Sequence, residues 1–171
     1  MIFILEGPDL GGKTLIGERL TKLSGMRVYH AGGPPKDEAE LKYRVRNLPY
    51  HKKILDRHPC ISEQVYRPIS GELPFIPVRE MDDWIRQAQP IIIYCNPGLS
   101  HLSSVQHLLK EKAHKPQKHV DEVKENHKRI YYRYEGVMWK LKSITPVYPI
   151  DFRDATDKEL KNIINIGGIN G

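Results

Sequence analysis

Gly7-Pro8-Asp9-Leu10-Gly11-Gly12-Lys13-Thr14 is the stretch on which the reading of the whole chain turns. It is a complete G-x-x-x-x-G-K-[ST] pattern. It also stands where such a loop has to stand, after the short apolar run Ile2–Glu6 and at the start of a helical stretch beginning at Lys13. Glycines let the backbone curl until successive N–H groups point at phosphate oxygens, and the start of the next helix adds favourable positive potential. In that arrangement Pro8, Asp9, Leu10, Gly11 and Gly12 surround the phosphates, Lys13 reaches the terminal ones and Thr14 ligates Mg²⁺. The expected ligands are therefore ATP, as a nucleoside triphosphate, and Mg²⁺.

On either side of this loop, short apolar runs alternate with helical patterns. Ile2–Glu6, Arg27–His30, Lys53–Asp56, Ile91–Cys95 and Val147–Ile150 read as strands, several of them apolar on both faces as a covered parallel sheet requires. Helices are expected at Lys13–Leu23, Asp37–Leu48, Pro59–Ile69, Ser100–Lys112, Val120–Leu141 and Asp157–Ile166, with Gly71–Val78 as a loop. The stretch after residue 119 has the clearest periodicity: Val120, Val123, His127, Ile130, Tyr134, Val137 and Leu141 form one face, read as core packing. Strand–helix alternation predicts an α/β architecture, a five-stranded parallel sheet sandwiched by helices in a P-loop NTPase fold.

The chain has 171 residues, which favours one domain over 1–171. Lys plus Arg number 27 against 21 Asp plus Glu, a net charge of +6, and this suits an anionic partner without choosing among them. The longest apolar runs fall far short of the ~20 residues that span a bilayer, so no membrane association is expected. The sequence starts in a strand-like segment with no basic leader, and a cytoplasmic location is expected. Cys60 and Cys95, without clustered partners, read as reduced thiols. His107, His114 and His119 lack the spacing of a metal site.

Phe3-Ile4-Leu5-Glu6-Gly7-Pro8-Asp9-Leu10-Gly11-Gly12-Lys13-Thr14 resembles the first strand and loop of the thymidylate kinase and deoxynucleoside kinase family, F-E-G-x-D-x-x-G-K-S-T. Leu55-Asp56-Arg57-His58-Pro59-Cys60-Ile61-Ser62-Glu63-Gln64-Val65-Tyr66 resembles its L-D-R-x-x-x-S-x-x-A-Y. Pro90–Pro97 and Tyr148–Asp151 resemble its fourth and fifth strands, in the right order along the chain. The resemblance implies the nucleoside monophosphate kinase architecture with a short helical lid near 108–120.

Asp56 ends a strand expected beside the loop, where a carboxylate can hold the Mg²⁺ shell or orient the acceptor oxygen. Arg57 next to it can bridge donor and acceptor phosphates in bidentate fashion. An Asp-Arg pair that merely stabilises a strand end is the competing reading. The resemblance places Asp9 on the acceptor's sugar 3′-hydroxyl and lines the acceptor site with Ser62, Tyr66 and Arg67; turn stabilisation and helix packing are the plainer readings of Asp9, Ser62 and Tyr66. Arg67 stands where many family members carry Gln. Leu10 supplies no arginine from the loop, and Ala31-Gly32-Gly33-Pro34-Pro35 replaces the usual Arg-Glu-Pro-Gly. Arg44, or Arg46 beside it, is therefore the candidate for the acceptor phosphate. Arg153, just past the fifth strand, is assigned to ATP. Residues 110–129 hold seven Lys or Arg against four Asp or Glu, and Lys112, Lys115, Arg129 and Arg133 are the lid cations.

The expected catalytic set is thus Lys13, Asp56 and Arg57, with Thr14 and Asp56 at the metal. The expected reaction is transfer of the γ-phosphoryl group of ATP to a (deoxy)nucleoside monophosphate. Phosphorylation of a deoxynucleoside is the alternative, followed by a polynucleotide 5′-kinase or a non-catalytic nucleotide-binding module. Partners are expected to be small nucleotides; a homodimer follows from the resemblance alone. Nucleic acid is disfavoured, because the basic residues are not interleaved with stacking aromatics.

Overall fold

A computed structural model describes residues 2–49, 51–109 and 117–168. Its elements run β1 (Ile2–Glu6), α1 (Lys13–Ser24), β2 (Arg27–His30), α2 (Glu38–Arg46), β3 (Lys53–Asp56), α3 (Pro59–Tyr66), a 3₁₀ turn Arg67–Ser70, α4 (Val78–Ala88), β4 (Ile91–Cys95), α5 (Leu99–Val105), a 3₁₀ turn Gln106–Leu108, α6 (Gln117–Leu141), β5 (Val147–Ile150) and α7 (Asp157–Ile166). All five strands have the bounds expected from sequence and form one parallel sheet in the order β2-β3-β1-β4-β5.

The period of two along a strand divides the core. Ile2 and Ile4 of β1, with Ile92 and Tyr94 of β4, pack under Leu41, Ile61, Met81, Ile85 and Tyr134 from α2, α3, α4 and α6. Phe3 and Leu5, with Ile91, Ile93 and Cys95, pack against Ile16 and Leu20 of α1 and Leu160, Ile163 and Ile164 of α7. Both faces of β1 and β4 are buried, as expected of central parallel strands. Edge strand β2 is mostly exposed.

Several boundaries differ from the expectation. The sequence carries little signal for α4, because Val-Arg-Glu-Met-Asp-Asp-Trp-Ile-Arg-Gln-Ala is mostly polar and follows three prolines; Met81 and Ile85 are its buried residues, with Trp84 packed partly against the same core. Ion pairs with flanking helices hold it in place, Lys140 to Asp82 at 2.8 Å and Lys42 to Glu80 at 3.4 Å. The helix expected over Pro59–Ile69 ends at Tyr66 and tightens into the 3₁₀ turn. On α6 it is Met138, not Val137, that is fully packed. His127 is half-buried and bonded to Ser103 Oγ and the Lys124 carbonyl, rather than core-packed. Most of the lid expected at 108–120, with Lys112 and Lys115, lies outside the described residues. Both cysteines are free and buried. No described helix is long and apolar enough to cross a membrane.

Gly7 and Gly11 of the loop are required because backbone passes close by. A Cβ on Gly7, whose φ is +142°, would sit 2.3 Å from the Cys95 carbonyl oxygen, and one on Gly11 would sit 2.8 Å from the same atom. Gly25, the C-cap of α1, has φ +70° but open space around it. Gly7→Ala should therefore cost about 3 kcal/mol or more, strain plus clash, against roughly 1 kcal/mol for Gly25→Ala. Thermal unfolding should fall by roughly 10 °C in the first and only a few degrees in the second. Equal effects would contradict the close approach.

Candidate active site

The end of β3 is carried past the sheet by one more ladder bond, Arg57 N–H to the Leu5 carbonyl at 2.9 Å. Arg57 then takes a left-handed φ of +70°, an uncommon conformation for a bulky residue, which turns the chain into α3. His58 caps that helix, its Nδ1 accepting from Cys60 N–H at 3.3 Å, and Pro59 opens it. These local choices put the Arg57 side chain beside the loop that follows β1.

Four side chains meet there, from the loop after β1, the turn after β3, α3 and α6. Arg57 donates to Asp9 Oδ1 at 3.2 Å and to the Tyr134 hydroxyl, and its guanidinium lies 5.0 Å from the centre of the Tyr66 ring. The Tyr66 hydroxyl donates to Asp9 Oδ2 at 3.2 Å. The Tyr134 hydroxyl in turn donates to Glu6 Oε2 at 3.3 Å, and Glu6 Oε1 takes the His58 N–H at 2.6 Å. Tyr66 and Tyr134 pack edge to face at 6.0 Å. Burial pushes both phenols above their usual pKa, so they stay protonated donors. A guanidinium held by a carboxylate, a hydroxyl and two ring faces loses little freedom when it meets a phosphate.

Lys13 donates to the Gly7 and Pro8 carbonyls at 2.9 and 2.7 Å. Desolvation, with Arg57 nearby, pushes its ammonium down to about 8. Thr14 is exposed at the first turn of α1. Asp56 accepts from His30 Nδ1 at 2.8 Å through Oδ2, while Oδ1 is buried without a hydrogen-bond partner. A hydroxyl and a carboxylate oxygen without a donor of its own are both hard oxygen ligands of the kind that suits Mg²⁺. When bound there the ion would neutralise charge on the triphosphate.

The structure brings Asp9, Arg57 and Tyr66 into contact, with Lys13 and Asp56 close enough to interact electrostatically, and most of the other candidate residues have partners elsewhere. Arg44 pairs with Glu40 on its own helix and donates to the Gly33 carbonyl. Arg67 stacks on Phe75 at 3.5 Å and pairs with Glu63 and Glu72, so it braces the 71–75 turn. Ser62 Oγ is buried without a partner. Arg133 donates to the Gln64 carbonyl, Arg129 is exposed against Asn126, and Arg153 pairs with Asp151 and the Pro97 carbonyl. Sequence reading missed Tyr134 and gave Glu6 and His58 no role. The one available signal for Tyr134 was a phenol on a mostly aliphatic helix face, since a buried hydroxyl needs a partner.

Glu6 and His58 set opposing pH dependences. Burial raises the Glu6 carboxyl to about 7 and lowers the His58 imidazole to about 4. The folded chain therefore keeps a Glu6 proton that the unfolded chain releases, a contribution lost as pH rises from about 4.5 to 7. It also lacks a His58 proton that the unfolded chain binds, a contribution lost as pH falls from about 6.5 to 4. Between those limits the two largely cancel. Relative to wild type, urea-unfolding stability of Glu6→Gln should rise with pH across this window and that of His58→Asn should fall, each by up to about 3 kcal/mol. Slopes of the same sign would contradict these opposing shifts.

The sequence matches no protein-family model and no curated protein. Solved structures do resemble it. The YorR protein of Bacillus subtilis, in complex with phosphorylated GDP, superposes with a TM-score of 0.62 over 98% of this chain and 96% of that one, at 18% identity. Deoxyadenosine kinase from M. mycoides with bound dATP superposes with a TM-score of 0.56 over 98% and 99%, at 14% identity. The same enzyme with its products dCMP and a flexible dCDP gives 0.55 over 99% and 100%, also at 14%. Together with the parallel sheet and its strand order, these likenesses show that the chain has the fold of the P-loop nucleotide kinases.

Proposed function

We propose that the protein transfers the γ-phosphoryl group of ATP, taken with Mg²⁺, to a (deoxy)nucleoside monophosphate. The observation that supports this best is the guanidinium of Arg57, which is fixed beside the phosphate-binding loop by Asp9, Tyr66 and Tyr134. A phosphoryl transfer asks little covalent chemistry of a protein and a great deal of positioning and charge neutralisation. Here the loop N–H groups and Lys13 hold the donor phosphates, Lys13 exchanging two loop carbonyls for phosphate oxygens. An acceptor oxygen attacks the γ-phosphorus as the bond to the β–γ bridging oxygen breaks, and ADP leaves. Arg57 faces the charge that spreads over the transferring group, Asp9 holds the acceptor's sugar hydroxyl, and the Tyr66 ring limits the space beside that sugar. Asp56 orients the reacting groups through Oδ1 and, with Thr14, would hold the metal.

Phosphorylation of a deoxynucleoside is the second reading, and one observation favours it. Arg44, the candidate for an acceptor phosphate, is already neutralised by Glu40 and turned to the Gly33 carbonyl. Two of the structural neighbours are a deoxyadenosine kinase, which agrees with that reading.

ADP release from ATP·Mg²⁺, with ribo- and deoxynucleosides and their monophosphates offered in turn, tests both. Turnover confined to monophosphates is expected; turnover confined to nucleosides would move the protein to the second reading. Lys13→Ala should lower the rate roughly 100-fold or more. A silent panel with ATP still bound would contradict both and leave a polynucleotide acceptor or a binding role.

A further inference from the structure

We infer that His30 is a positioning residue for phosphoryl transfer, which holds the Asp56 carboxylate so that one oxygen is left for the reaction. The inference rests on the kinase reading above and concerns a residue outside the expected site.

His30 is the last residue of β2 and Asp56 the last of β3, and the parallel register makes them direct partners. Side chains of direct partners leave the sheet on the same face. The imidazole Nδ1 lies 2.8 Å from Asp56 Oδ2. An ionised carboxylate only accepts hydrogen bonds, so Nδ1 carries the proton and donates, and Nε2 is directed away from Asp56. Among the described residues His30 is the one donor to Asp56, and Oδ1 stays buried with no partner. A carboxylate at the end of a strand can rotate about its last bond; a bond to one oxygen stops that rotation and fixes the direction of the other. Asp56 is adjacent to Arg57 in the chain, so the direction of Oδ1 matters to the same reacting groups that Arg57 serves.

Packing gives no alternative explanation for His30. Its side chain is 72% exposed, so it fills no part of the core, and a polar contact made by so exposed a side chain adds little to stability. Outer-shell donors to a functional carboxylate typically matter to rate by 10- to 100-fold instead.

Steady-state kinetics on wild type, His30→Ala and His30→Asn, at one pH and with the acceptor identified by the nucleotide panel, tests the role. Asparagine can place its amide N–H where Nδ1 stood. His30→Ala should lower kcat roughly 10-fold, with KM for ATP changed by less than about 2-fold, and His30→Asn should recover most of the loss. Melting temperatures of all three should agree within about 2 °C, as expected for an exposed site. The ¹⁵N-imidazole spectrum of wild type should show His30 protonated on Nδ1, and Asp56→Ala should release that proton to exchange. Unchanged kcat in His30→Ala, equal loss in both variants, a matching fall in melting temperature, or an Nε2-protonated tautomer would each overturn the inference. A wild-type protein that turns over no acceptor would refute the kinase reading and this with it; an active wild type with an indifferent His30→Ala would refute this alone.

Discussion

Glu6 is wholly buried at the end of β1, and a carboxylate in that position is expensive unless donors reach both of its oxygens. One oxygen takes the backbone N–H of His58, and the other the hydroxyl of Tyr134. Those two bonds join β1 to the turn that opens α3 and to the middle of α6. Arg57, next to His58, then falls against the same Tyr134 hydroxyl and across to Asp9 in the loop. The placement of the central cation therefore depends on a buried acid that never needs to touch a substrate. Removing either donor would leave Glu6 with an unsatisfied oxygen, at a cost of about 1–3 kcal/mol.

Charge at the site is close to balanced before any ligand arrives. Lys13 and Arg57 face Asp9 and Asp56, while burial moves Glu6 towards its neutral form and desolvation moves Lys13 towards its own. Triphosphate oxygens entering the loop would reverse the second effect, because an anion beside an ammonium favours its charged form. The loop itself has little freedom to adjust, since Gly7 and Gly11 are pressed against the Cys95 carbonyl. Its shape is thus set by β4 as much as by its own sequence.

The sheet and the loop were legible because each left a local signature. Strands buried on both faces are continuous, mostly apolar runs, and the loop pattern is contiguous. Helix α4 was not legible, since two buried side chains and two ion pairs to other helices hold it. Within the site, Asp9, Arg57 and Tyr66 came from contiguous motifs. Tyr134 did not, because helical periodicity registers a core position without saying what a hydroxyl there must bond. Arg67 was misplaced for a tertiary reason: Glu63 and Gln64 fasten the 71–77 segment, which puts Phe75 under the guanidinium. The Glu40–Arg44 pair was visible as an i,i+4 spacing, and it explains why Arg44 faces its own helix. His30 could not be paired with Asp56 until the strand order was known.

On this reading, donor and acceptor meet between the loop and the Asp9–Arg57–Tyr66 cluster. A crystal structure with a bisubstrate analogue, an acceptor nucleoside joined to ATP through its terminal phosphate, tests this most directly. The donor phosphates should lie on the loop N–H groups and Lys13, the junction phosphate within hydrogen-bond reach of Arg57, and the acceptor sugar on Asp9 beside the Tyr66 ring. An acceptor half lying away from that cluster, or a donor half outside the loop, would contradict it.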